Sequence, residues 1–172
     1  MALQLYKIAS AEVGSTSVAN INFSSIPQGY TDLRLVVSGR ADGAFDWHQL
    51  YLEVNGSTSI SVRMVQGAGS GTPASYTNSV GEFGPILNGS TATANAFGSA
   101  ELYFTNYSGS GAKSVSVTGV SETNAVGIYQ IMSAGLYNSS SPITQLTIKP
   151  RDASATYRNF VQYSTATLYG IL

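Results

Sequence analysis

The stretch QGYTDLRLVVSGR, from Gln28 to Arg40, decides the fold of this chain. Its apolar residues Leu33, Leu35 and Val37 occupy every second position, and most of the positions between them are polar. Successive side chains of a β-strand point to opposite faces of the sheet. The pattern therefore predicts a strand with one buried side and one side that faces solvent.

The same period of two residues recurs along the chain, with Gly, Asn, Ser or Pro at nearly every junction. It predicts about ten short strands and no helix longer than a turn or two. Short strands separated by turn signals are typical of a sandwich, so we predict an all-β chain, a single domain over residues 1–172 that forms an antiparallel β-sandwich of jelly-roll type. The residues predicted to face its core are Leu33, Leu35, Val37, Leu50, Leu52, Val54, Leu102, Phe104, Val115, Val117, Leu146 and Ile148.

Three segments carry further local predictions. Asn55-Gly56 is the signal for a type I′ hairpin turn, from which the segment 59–65 is expected to run back beside the strand before it. The region from Gly67 to Ala96 reads as an irregular segment, either a crossover between the two sheets or a tip that reaches a partner. The apolar stretch 167–172 is expected to be docked in a sheet.

Composition excludes several classes of function. Only 10% of the 172 residues are charged, the net charge is −1, and cysteine is absent. The charge balance offers no footprint for nucleic acid or anionic lipid, and thiolate catalysis, disulfides and cysteine-ligated zinc are ruled out. No long apolar run predicts a membrane span, and the start of the chain does not read as a signal peptide.

No motif for catalysis stands out. His48 is the only histidine, and the sequence gives it no defined nucleophile, so we expect it to hydrogen-bond locally while Trp47 packs at the base of a loop. The segment GSGAKS (109–114) departs from a phosphate-binding loop and is expected to be a hairpin turn. Asp42 and Asp46 share one loop as a weak metal pair would, but carboxylates of this kind more often cap turns. We therefore predict no enzyme activity, no catalytic, cofactor-binding or metal-binding residues, and no cofactor.

Eleven tyrosines are an excess for a chain of this length. Tyrosine rings stack on sugars and also enrich protein interfaces, because a large apolar ring carries a polar tip. Sheet pairing is the first expectation for those placed on predicted strands, which are Tyr51, Tyr103, Tyr129, Tyr163 and Tyr169.

Four blocks of the sequence resemble a group of small virion proteins of tailed bacteriophages. The blocks are SSIPQGYTDLRLVVSGR, LYLEVNGSTSISVRMVQG, STATANAFGSAELYFTNYSGSGAKSVSV and QYSTATLYGIL. Members of this group are capsid decoration (cement) proteins and domains of tail-fibre-type proteins. The resemblance implies a jelly-roll sandwich that assembles as a symmetric oligomer, a homotrimer, and it transfers no catalytic residue.

The leading functional hypothesis is a viral capsid decoration protein, made in the host cytoplasm and located on the capsid surface of the virion. Its expected partners are the major capsid protein and further copies of itself, with no nucleic acid and no membrane. The edge strands of a sandwich support self-association. Lysine usually protects such edges from pairing with another chain, and this chain has only Lys7, Lys113 and Lys149. The alternative is a tail-fibre or head-fibre type module that binds host-surface glycan.

Overall fold

The computed structural model describes residues 4–69, 71–124 and 127–172, and these residues form twelve β-strands. The strands are β1 (Leu5–Glu12), β2 (Ile21–Phe23), β3 (Asp32–Gly39), β4 (Trp47–Val54), β5 (Ile60–Ala68), β6 (Ala74–Asn78), β7 (Glu82–Asn88), β8 (Gly98–Phe104), β9 (Lys113–Glu122), β10 (Ile128–Tyr137), β11 (Leu146–Arg151) and β12 (Thr165–Ile171). In the part of the chain that the structure describes, no helix is long and apolar enough to cross a membrane.

The strands form two antiparallel sheets. The large sheet has eight strands in the order β1-β12-β3-β8-β9-β10-β5-β6, and the small sheet has four in the order β2-β11-β4-β7. The predicted all-β sandwich is therefore confirmed. Eight strands form two sets of four, β1-β12-β3-β8 and β2-β11-β4-β7, and the chain passes repeatedly between them. This order is compatible with a jelly roll, which stays a prediction.

The core lies between the two sheets and is filled from both. All twelve side chains predicted to face it are buried, none more than 2% exposed. On β3, Leu33, Leu35 and Val37 point inward, while the intervening side chains are half-buried on the outer face. The period of two residues thus identified the correct face of each of these strands.

The turn after β4 has the predicted type, but the strand that follows it does not have the predicted partner. Asn55 and Gly56 have φ angles of 51° and 75°, as both central residues of a type I′ turn require. Nevertheless β5 joins the large sheet, between β10 and β6, while the neighbours of β4 are β11 and β7. The expected return of segment 59–65 beside β4 is wrong, because both edges of β4 are occupied by other strands.

The region from Gly67 to Ala96 is more regular than predicted. It contains β6, at the edge of the large sheet, and β7, at the edge of the small sheet, so the chain does cross between sheets here. The crossover interpretation is confirmed, and the expectation that the segment is irregular is wrong for β6 and β7; Ser70, within this region, lies outside the described residues. β7 shows no alternation because six of its seven residues are buried, and a strand buried on both faces has no polar side to reveal it.

The last strand is docked, as predicted. β12 lies inside the large sheet with β1 on one side and β3 on the other, so both of its edges are hydrogen-bonded. Edge positions belong to β1 and β6 in the large sheet and to β2 and β7 in the small sheet.

Candidate interaction surfaces

The outer side of the large sheet carries an exposed apolar surface across β5, β9 and β10. We call it the apolar face and define it by Val65, Val120, Ile128, Met132 and Leu136, whose exposed fractions are 56%, 43%, 63%, 63% and 44%. These residues alternate along their strands with side chains that point into the core. Contiguous exposed apolar surface on a folded protein marks a site of interaction.

Two charged side chains, Arg63 and Glu122, lie among or directly beside the residues of the apolar face. Arg63 lies opposite Ala134, and Glu122 lies opposite Ile128 at the start of β10. Between them, Met132 has Val65 on one side and Thr118 on the other. A surface with this composition loses little hydration energy of charged groups when another protein covers it.

The edge beside this face is also unprotected. β6, with the sequence ASYTN, forms that edge of the large sheet and contains no charged residue. Of the three lysines, Lys7 lies on edge strand β1, Lys113 is buried, and Lys149 is paired with Glu53 at 2.6 Å. An edge strand without charge is open to pairing with another chain.

The outer side of the small sheet has the opposite character. Lys149 pairs with Glu53, and Arg151 pairs with Glu82. Tyr157 covers this surface, with its ring 5.2 Å from that of Tyr51 and the Arg151 guanidinium 5.7 Å from its centre. Burial and the hydrogen bond with Tyr51 raise the pKa of Tyr157 to about 12. The two outer surfaces of the sandwich therefore differ: the small sheet carries two ion pairs, whereas the large sheet carries the apolar face across β5, β9 and β10, with one ion pair, Arg34–Glu101 (2.6 Å), beyond it on β3 and β8.

The chain between β7 and β8 is held down rather than projecting as a tip. Arg40 donates hydrogen bonds to the carbonyl oxygens of Thr93 (2.7 Å) and Ala96 (2.9 Å). The Glu122 carboxylate accepts from the Thr93 amide at 2.7 Å and from its hydroxyl at 2.8 Å. Burial raises the pKa of Glu122, but the hydrogen bonds from Thr93 and Asn124 lower it by more. These contacts give the segment a fixed shape beside the apolar face.

His48 lies on β4 and is fully buried. Neither ring nitrogen has a hydrogen-bond partner among the described residues, so the predicted local hydrogen bond is wrong. Gly43 and Gly89 approach the ring so closely that a side chain on either would collide with it. Burial lowers the pKa of His48, with the Asp152 carboxylate acting in the opposite direction. The His48 ring is therefore enclosed by protein, with no surface exposed to solvent.

The remaining motifs have structural roles. Residues 109–112 lie in the turn that joins antiparallel strands β8 and β9, which confirms the hairpin interpretation of GSGAKS. Its lysine, Lys113, donates hydrogen bonds to the carbonyl oxygens of Ser139 (3.1 Å) and Ser141 (2.7 Å). Asp42 accepts from the backbone and side chain of Asn159 instead of capping its own turn. Residues 4–69, 71–124 and 127–172 contain no group of three side chains suited to hold a metal ion.

Four of the five tyrosines predicted on strands lie on them, and Tyr163 does not. It sits in the turn before β12 with a φ angle of 69° and is 63% exposed. Tyr103 on β8 donates a hydrogen bond to Asp32 at 2.6 Å, and this bond, with burial, raises its pKa. Tyr129 on β10 packs edge-on against Trp47, with the ring centres 5.8 Å apart.

Trp47 and Tyr129 also line a cleft that the sequence did not indicate. The large sheet extends past the small sheet here, and a cavity of about 360 Å³ lies where β4 and β7 meet β5 and β6. We call it the aromatic cleft. It is lined by Trp47, Gln49, Met64, Gln66, Tyr76, Thr77, Asn78, Glu82, Gly84, Pro85 and Tyr129.

Comparison with known proteins adds no identification: no protein-family model matches the chain, and no curated protein matches it.

Proposed function

We propose that the chain is a structural protein of a bacteriophage virion, a capsid decoration protein that assembles as a homotrimer and stabilises the head shell. The observation that carries the proposal is the apolar face, with its five exposed apolar side chains and the uncharged edge strand β6 beside it. Such a surface suits contacts with protein, by apolar burial and by main-chain pairing at the edge.

The resemblance of the four sequence blocks to phage virion proteins supplies the biological setting of the proposal. The difference between the two outer surfaces supports an oriented arrangement. In it, the apolar face meets neighbouring protein and the ion-paired surface of the small sheet stays in contact with water. Closed symmetry is part of the proposal, because an open head-to-tail contact would grow fibres instead of a defined oligomer.

The test uses the phage that encodes the chain. Particles made without the protein are expected to break at lower temperature and under milder osmotic shock than complete particles. Adding the purified protein is expected to restore resistance, whereas Met132→Lys protein restores little and Tyr163→Lys protein restores it fully. Met132 and Tyr163 are both 63% exposed, so the two variants differ in place and not in exposure. Equal resistance of particles with and without the protein would exclude the stabilising role.

The glycan-binding alternative rests on a different part of the molecule, the aromatic cleft, and does not depend on where in a virion the chain resides.

A further inference from the structure

The aromatic cleft has the construction of a small-molecule site. Its volume of about 360 Å³ lies at the lower end of the range for ligand pockets, which is roughly 300–1,000 Å³. Side chains from five strands contribute to it, so its walls are held by both sheets and not by one loop. A site built on strands keeps its geometry better than one built on loops.

Aromatic rings form part of the wall. Trp47 and Tyr129 pack edge-on, with 65° between their planes, and therefore brace one another in position. Tyr76 is contributed by edge strand β6 and is 48% exposed, so part of its ring is open to solvent. An aromatic face carries partial negative charge and attracts the polarised C–H groups of a sugar ring.

Hydrogen-bonding groups that the fold leaves unused lie among these rings. In the described residues, no protein partner is bonded to the Trp47 indole N–H, to the hydroxyl groups of Tyr76 and Tyr129, or to the Gln66 side-chain amide. The indole N–H is a hydrogen-bond donor, and the tyrosine hydroxyls and the Gln66 amide can each donate and accept. Apolar ring faces interleaved with uncommitted polar groups match the two sides of a sugar, its C–H face and its hydroxyl rim.

The charged group that lines the cleft favours a neutral ligand over an anionic one. Glu82 is the one charged residue among those lining the cleft, and its carboxylate already pairs with Arg151. The Gln49 amide, with its nitrogen turned towards Glu82, lies 3.1 Å and 3.2 Å from the two carboxylate oxygens. Among the residues that line the cleft there is no lysine, arginine or histidine, so an anionic sugar would find no cationic partner there.

We propose that the aromatic cleft binds a neutral saccharide of one or two hexose units, stacked on the aromatic side chains and hydrogen-bonded through Gln66 and the tyrosine hydroxyls. The cleft binds without cleaving, because glycosidases flank the bond with two carboxyl groups and Glu82 is the single carboxylate in its lining. This inference is independent of the capsid role, and each can fail alone.

The chain contains one tryptophan, and it lines the cleft, so intrinsic fluorescence reports directly on occupancy. The purified protein is titrated with methyl glucoside, methyl galactoside, N-acetylglucosamine and maltose, and with glucuronate as the anionic probe. We expect a saturable fluorescence change with at least one neutral probe, with a dissociation constant of about 1 mM, and none with glucuronate.

Variants localise the signal. Tyr76→Ala and Gln66→Ala are each expected to weaken binding by about tenfold. Tyr163→Ala, which changes an exposed tyrosine that does not line the cleft, is expected to leave binding unchanged. Unaltered circular dichroism of each variant shows that the fold is intact, and Gln66→Ala serves where Tyr76→Ala fails this check. The proposal is overturned by the absence of a saturable change with every neutral probe, by equal binding of glucuronate, or by full affinity in both cleft variants.

Discussion

Met132 on β10 lies directly opposite Val65 on β5, and both side chains are more than half exposed at the centre of the apolar face. Cross-strand apolar pairs usually bury each other against a second layer. Here no second layer of the described chain covers them, because the four strands of the small sheet lie on the other side.

This relationship predicts the oligomeric behaviour. Light scattering should show a trimer at micromolar concentration, and Met132→Lys should shift it towards monomer, because covering the face would bury an unpaired ammonium group. The control Tyr163→Lys should stay trimeric. Association should change little with added salt, since uncharged contacts are not screened. A wild-type protein that remains monomeric throughout this range would contradict the trimer.

The second prediction concerns the core. Leu35→Ala should lower the free energy of unfolding by roughly 2–5 kcal/mol, because Leu35 is fully buried and its loss leaves a cavity. The adjacent Val36→Ala is the control: Val36 points to the outer face, and its loss should cost less than about 1 kcal/mol. Urea denaturation measures both values. Similar losses for the two variants would mean that the inward face of β3 is wrongly assigned.

Leu35 and Val36 show which features of the fold can be predicted from the sequence. Alternation told Leu35 from Val36 because only one face of β3 meets the core, and the same contrast identified the core side chains of β4, β8, β9 and β11. It failed for β7, in which both faces are buried and Gly84 and Pro85 look like a break. It could not show that β5 leaves β4 after a correct type I′ turn, because strand partners are chosen by tertiary contacts.

The interaction surfaces were less predictable than the fold. The excess of tyrosine indicated stacking or interfaces. The sequence could not show that Tyr76 of β6 and Trp47 of β4 line the same cleft. The burial of His48 was missed for the same reason: Gly89, which closes over its ring, lies after β7, far from His48 in the chain. Long-range proximity of this kind has no local signal.

A third prediction follows from the close approach of Gly98 to β7. A β-carbon at this position would overlap the carbonyl oxygen of Ile86, and a backbone atom cannot swing away as a side chain can. Gly98→Ala should therefore destabilise the protein by about 1–3 kcal/mol. Gly67→Ala is the matched control in strand β5, where a β-carbon meets no atom within 4 Å. Thermal unfolding of the two variants should separate them clearly, and equal melting temperatures would argue against this contact.

The fourth prediction concerns pH. Burial lowers the pKa of His48 from 6.5, so in acid the unfolded chain takes up a proton that the folded chain resists. Stability is therefore lost as the pH falls below 6.5, by up to about 1.4 kcal/mol one pH unit lower. Urea unfolding at about pH 7.5 and about pH 5.5 measures this difference. His48→Gln should remove most of it, since the chain has no other histidine. An undiminished difference in that variant would assign the effect to other groups.

The position of β12 between β1 and β3 determines when the large sheet can be completed during synthesis. The register joins Leu5 to Ile171, so β1 cannot acquire its neighbour until residues as far as Ile171 have left the ribosome. Pairings this distant in sequence place the fold among slow folders, with times of roughly milliseconds to seconds. Until β12 is synthesised, the nascent chain exposes the edges of β1 and β3 that later pair with it. These unpaired edges are available to cellular chaperones during that interval.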